Sequence, residues 1–364
     1  MHAAKAWGTT LALAVLGTGV GHAAEGFAPR YNLAGSLGGE MFAPPDRSGW
    51  GVGGAYTRAD VQKVTGGDGH DLKVTTPGGT LAVPGLPGGL SPTYKANVVT
   101  LQGHGGFDIY NLAVGYVSQD TYGGGQLAFL VNVPLGHKTQ TFTARTSAPG
   151  LSWPNATVPD ATTRAAVEQQ FSASYLAGVN SQTSAESGTE DGLGDVELQA
   201  GWLAAGEQWR VLAGVSLVTP TGTYDAAPGP DIGTGNFYTL RPAVQVAWLP
   251  TPDWSIAGKL TVGFNTRNKD NDLRSGNWAG LEAAVGYMTP IGPVGLHTVY
   301  VQQFQADSQN PYGAARFRST NVGAFYTTKV PALDAILTLQ TMQMVDSRYA
   351  KHGTFYQARM IKLF

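Results

Sequence analysis

Asp195, Glu197, Arg210, Arg241, Lys259, Glu282 and Arg359 fall at alternate positions of segments whose other positions are apolar. Charges of both signs facing one enclosed space can pair across it. They can also form a mixed-charge constriction that orients the polar end of a solute. Neither sign dominates, so strong anion or cation selectivity is not expected. Other chemistry is poorly served. The seven histidines, at 2, 22, 70, 104, 137, 297 and 352, lack metal-ligand spacing. There is no cysteine, which removes disulfides, thiolate metal sites and cysteine nucleophiles. The chain carries neither a nucleophile elbow nor a phosphate loop outside its first residues. A barrel enzyme acting on lipid would need a serine beside a histidine, and Ser216 or Ser255 with His297 is the pairing open to it. Asp68 with Asp71, and Asp270 with Asp272, could bind Ca²⁺ weakly, although solvated loop tips account for them more simply. No metal site and no cofactor is expected.

The elements that position these charges are strands. Of 364 residues 50 are glycine and only 13% are charged, which disfavours long helices, where each glycine costs about 1 kcal/mol. Low charge with 42% hydrophobic residues also argues against disorder. With 23 basic and 25 acidic residues, nucleic acid is not an expected partner. After residue 48 the chain breaks into alternating segments. Trp254, Ile256, Leu260, Val262 and Phe264 share one face, opposite Lys259 and Thr261. Val196, Leu198, Ala200 and Trp202 oppose Asp195, Glu197 and Gln199. Tyr238, Leu240, Val244, Val246 and Trp248 oppose Arg241 and Gln245. Such segments run about ten to fourteen residues, longer than the five or six usual in soluble proteins and long enough to cross a bilayer at a tilt.

Short turns at 206–208, 250–253, 289–293 and 330–334 alternate with long polar connections near 62–91, 149–191, 220–235, 268–275, 307–314 and 346–352. That alternation predicts an all-β fold: one transmembrane antiparallel β-barrel of the outer-membrane type, with about 14 strands or alternatively 12. The fourteen-strand reading separates 92–103 from 107–119 and 123–134 from 138–148. Trp202, Trp209, Trp248 and Trp254 flank two of the short turns, where an interfacial girdle belongs. A turn centred between Thr251 and Pro252 would place Arg241 opposite the lipid-facing Val262. Keeping both Arg241 and Lys259 inside therefore requires a one-residue register shift at Pro250 or Pro252.

The ends carry their own signals. Lys5, the apolar run Trp7 to Val20 and Gly21-His22-Ala23 read as a secretory signal over 1–23. Residues 24–47 precede the barrel at 48–364 and form a periplasmic or plug segment, with Phe27, Tyr31, Met41 and Phe42 as plug candidates. Asp160 is placed to cap a short helix over 161–177 in an external loop. At the C-terminus Tyr356, Met360 and Phe364 share one row and read as the signal for the barrel-insertion machinery. The chain is expected in the outer membrane of a Gram-negative bacterium, in contact with the lipid bilayer.

Four stretches then resemble a known family in order. They are Gly192 to Asp195 with Trp202 after it, Val218 to Tyr224, Tyr122 to Pro134, and Val301 to Asp307. The chain resembles the family named for the meta-pathway of phenol degradation, outer-membrane proteins described as transporters. The resemblance implies a channel or facilitated-diffusion transporter for small aromatic or hydrophobic compounds, and no enzyme. The alternatives are a non-conducting structural or ligand-binding barrel and, behind it, a lipid-modifying barrel enzyme.

Overall fold

The computed structural model describes residues 29–42, 48–310 and 315–364. Among these residues, fourteen strands join one antiparallel sheet, and twelve of them close a barrel. In chain order the barrel strands are β1 (Gly49–Val64), β2 (Asn97–Tyr122), β3 (Gly125–Arg145), β4 (Glu197–Ala205), β5 (Trp209–Val218) and β6 (Thr239–Thr251). They continue as β7 (Trp254–Asn265), β8 (Trp278–Thr289), β9 (Gly292–Gln303), β10 (Arg318–Val330), β11 (Ala335–Arg348) and β12 (Lys351–Leu363). Each pairs with the next, and β12 closes on β1 with Gly51 opposite Leu363. The strands Leu72–Thr76 and Gly188–Leu193 pair beyond the closed wall, with β2 and β3.

The difference between fourteen segments and twelve barrel strands has a physical cause. Segments 92–103 and 107–119 are joined in β2, and 123–134 and 138–148 in β3, because β2 and β3 stay paired from Thr100–Arg145 to Val117–Ala128. Gly103, Gly105 and Gly106 look like a turn but permit close strand approach. A Cβ on Gly105 would lie 2.1 Å from the Thr139 carbonyl oxygen. Pro134 is tolerated because β3 changes neighbour there, pairing β4 as far as Asn132 and strand 188–193 from Leu135 onward. Its carbonyl accepts from Gly194 N at 2.8 Å. The missing N–H points to the same side, into the gap between the two neighbours.

Register follows the inside–outside demand. Gln245 lies opposite Lys259 and Ala243 opposite Thr261, so the inward parity of Arg241 and Lys259 is kept. The shift falls between Trp248 and Thr251, at the expected proline turn. On the outer surface Leu112, Leu281, Leu296 and Val345 are each more than half exposed, an apolar band that only lipid can cover. Trp209 sits opposite Trp248 at the short-turn end, and Trp254 packs on Tyr287 with ring centroids 5.0 Å apart. Among the described residues no helix is long and apolar enough to cross a membrane.

At the long-loop end the helix α1 (Ala161–Ala185) runs eight residues beyond the expected 161–177. Asp160 caps it, accepting from the backbone N–H groups of Thr162 and Thr163. Phe171, Tyr175 and Val179 pack on Leu72, Val99 and Leu101, so this end carries an apolar core of its own.

Candidate functional site

Residues 29–42 lie inside the barrel, and the inward charges of the wall are what they touch. Glu282 on β8 is almost fully buried. It accepts from Tyr31 Oη at 2.7 Å, from Ser36 N at 2.7 Å, from Ser36 Oγ and from Leu37 N at 3.3 Å. Lys259, opposite it on β7, stands 3.6 Å away and donates to Ser36 Oγ at 2.9 Å. A buried carboxylate is costly unless paired and hydrogen-bonded, and here Lys259 of the wall supplies the charge and one short segment the hydrogen bonds. Arg241 on β6 pairs with Glu197 on β4 and donates to the Arg30 carbonyl at 2.7 Å. Arg30 reaches Asp195 at 2.9 Å and stacks on the Phe237 ring at 3.8 Å. Across the barrel, Arg359 on β12 pairs with Glu40 at 2.9 Å.

Six of the seven expected inward charges thus meet in one network with residues 29–42. Arg210 does not join it, because its guanidinium turns back to the carbonyls of Gly206 and Trp209 at the adjoining turn. Of the aromatic and apolar candidates, Tyr31 packs edge-on to Trp278 with centroids 5.2 Å apart. Its ring passes over Gly280, where a Cβ would lie 2.5 Å away. Met41 is buried with Leu37 against Ala247, Ala257, Ala284 and Phe325. Phe42 ends a single 3-10 turn, Gly39–Phe42, and its ring lies over Gly286. Phe27 lies outside the described residues. Arg30, Ser36 and Glu40 escaped sequence reading, which weighed this segment by its aromatic residues. The signal was present: one acid and one base in a stretch facing a wall of both signs.

The segment covers β6 to β12. Along the other half of the wall, from β12 through β1 to β5, a cavity of about 870 Å³ remains. It runs from Gly49 and Leu363 at the short-turn end to Asp231 and Lys351 at the long-loop end. Much of its wall is apolar, with Ala55, Ile109, Leu130, Leu212 and Phe355 among the lining residues. The geometry therefore offers a conduit with one largely apolar side, edged by a few charges, and one side covered by the segment.

A hydrolytic site is not assembled from the residues considered for it. Ser216 Oγ accepts from Arg241, Ser255 Oγ lies 3.9 Å from the Met41 sulfur, and His297 Nε2 lies 3.3 Å from the Thr341 carbonyl. The loop carboxylates serve turns: Asp68 accepts from His70 N, and Asn236 donates to Asp270.

The family described as "Putative MetA-pathway of phenol degradation" matches residues 90–357, well over half of the chain. The chain belongs to this family. No curated protein matches the sequence. Among solved structures, an outer membrane channel from Pseudomonas putida F1 is similar over 91% of this chain and 100% of its own, with TM-score 0.58 and 14% identity. That likeness shows the fold of this phenol-degradation family member. Looser matches include the CymD monoaromatic hydrocarbon channel, with TM-score 0.39 and 10% identity over 95% of this chain and 98% of that one. The Pseudomonas putida toluene transporter TodX matches with TM-score 0.33 and 8% identity over 94% and 95%.

Proposed function

We propose that the chain is an outer-membrane channel for passive diffusion of small apolar or aromatic compounds, narrowed by residues 29–42 acting as a plug. The observation that carries this reading is the cavity extending from one end of the barrel to the other along an apolar wall. Family membership supports it, and so does the name of the Pseudomonas putida channel with the same fold. In this reading residues 1–23 are a secretory signal, the short turns face the periplasm and the long loops face outside. A solute slides along the largely apolar part of the wall that the segment leaves open. The charges on the other half are spent on holding the plug, which fits the lack of a single-sign ring.

The test is single-channel conductance of the full chain, combined with accumulation of a neutral monoaromatic by cells carrying it. The expected result is a small conductance that rises severalfold when 29–42 is deleted, and faster accumulation than in cells without the chain. Absence of both conductance and accumulation would overturn the channel reading and favour a non-conducting barrel.

A further inference from the structure

At the long-loop end of the cavity two lysines from strands far apart in sequence come together. Lys138 on β3 lies opposite Phe107 on β2, and Lys351 opens β12 opposite Val64 on β1. Both line the cavity, and the Lys351 amine reaches Gln140, two residues from Lys138 on the same face of β3. Their hydrogen bonds go to neutral oxygens. Lys138 Nζ donates to the Asp231 carbonyl at 2.9 Å, and Lys351 Nζ donates to Gln140 Oε1 at 3.2 Å. Gln140 is itself fixed, donating through Nε2 to the Glu186 carbonyl at 2.6 Å.

Two neighbouring amines withdrawn from bulk water cannot both hold a proton cheaply by themselves, and an anion lying between them is what stabilises the charged pair. Carboxyl groups of the chain supply this only in part. Asp231 Oδ1 is engaged by the N–H of Asp225. Burial pushes the Glu186 carboxyl up to about 7, so that it is only partly ionised at neutral pH. Directly beside the amines the surface becomes apolar: Phe107 and Ile232 meet over Gly136, and Ile109 continues the wall inward. The arrangement is therefore amphiphilic along the cavity axis, basic at the outer end and apolar below it.

We propose that Lys138 and Lys351 form the head of a binding subsite for amphiphilic organic acids, taking the carboxylate between the two amines and the apolar body against Phe107, Ile109 and Ile232. The proposal deepens the channel reading by naming the solute class that its outer end selects. A carboxylate offers two oxygens to two amines, whereas an alcohol of the same shape offers one weak acceptor. Acetate carries the charge without the body.

The test is calorimetric titration of the purified full chain in detergent with sodium benzoate, benzyl alcohol and sodium acetate. Benzoate is expected to bind at least tenfold more tightly than either comparison ligand. Lys351→Met and Lys138→Gln should each remove most of that advantage, with folding verified by heat-modifiable gel mobility. If Lys351→Met fails to fold, Lys138→Gln alone decides. Benzoate binding no tighter than benzyl alcohol or acetate, or an advantage retained in the folded lysine variants, would overturn the proposal. Conductance in planar bilayers is read separately. A silent protein that still prefers benzoate would refute the channel and leave the subsite, and a conducting protein without the preference would do the opposite.

Discussion

Glu186 ends α1, buried beneath the loop that holds Asp231, and its carboxyl faces the two lysines. Burial disfavours its charged form, so it is neutral below about 7 and ionised above. Once ionised it competes with an incoming carboxylate for Lys138 and Lys351. Asp231, itself raised by burial, together with Asp225 and Glu190, completes the acidic surroundings. Benzoate affinity is therefore expected to fall about two- to fivefold between pH 6 and pH 8, with Glu186→Gln flattening the profile. Titration at three pH values checks this. A second residue-scale prediction concerns the plug. Lys259→Met leaves Glu282 without its nearest cation and should destabilise the folded protein by about 1–3 kcal/mol. Denaturant unfolding in detergent measures that cost, and larger conductance fluctuations in the same variant would show a loosened segment. The inward charges were legible in the sequence because each interrupts an apolar alternation. Their partners were not legible, since nothing in the order of residues 29–42 says that Ser36 will face Glu282 rather than water.

Among the elements, the alternating strands of the second half were read with their facings, down to the register shift beside Pro250. That shift was forced, because a lipid-exposed Arg241 or Lys259 at mid-membrane would cost about 2–4 kcal/mol. The first half misled for the opposite reason. Glycine and proline carry turn signals whatever surrounds them, and only the pairing partners show that Gly105 allows close approach and Pro134 marks a change of neighbour. Gly105→Val should therefore reduce the folded fraction sharply, since its Cβ would meet the backbone of β3 rather than a movable side chain. Heat-modifiable mobility of the membrane fraction reads it. For α1, Asp160→Ala removes the acceptor of two backbone N–H groups. Protease cleavage within 149–191 on intact cells should accelerate several-fold.

For the whole molecule, the apolar exterior ends in Tyr356, Met360 and Phe364, all facing outward, with the Lys362 amine 5.1 Å from the Phe364 ring. Lys362, in the same row, thus folds back on the terminal aromatic. Deleting Phe364 is expected to lower the folded outer-membrane fraction without changing synthesis, as measured by membrane fractionation and gel mobility. Equal assembly with and without it would mean that the terminal strand is recognised by other features. Barrel class was legible from length, parity and the alternation of short and long connections, all local properties. Which half of the bore stays open was not, because it depends on where a segment outside the barrel wall comes to rest.

In a simple barrel the bore follows from the number of strands, and widening it means adding a hairpin. Here the fourteen described residues from 29 to 42 occupy one side of a twelve-strand wall, fastened by ion pairs and hydrogen bonds. Calibre has in that way been separated from architecture. A few substitutions at positions such as Tyr31, Ser36 or Glu40 could re-gauge the passage while the wall, its lipid surface and its assembly stay the same. The cost of trying a new solute then falls on a short insert rather than on the membrane protein as a whole.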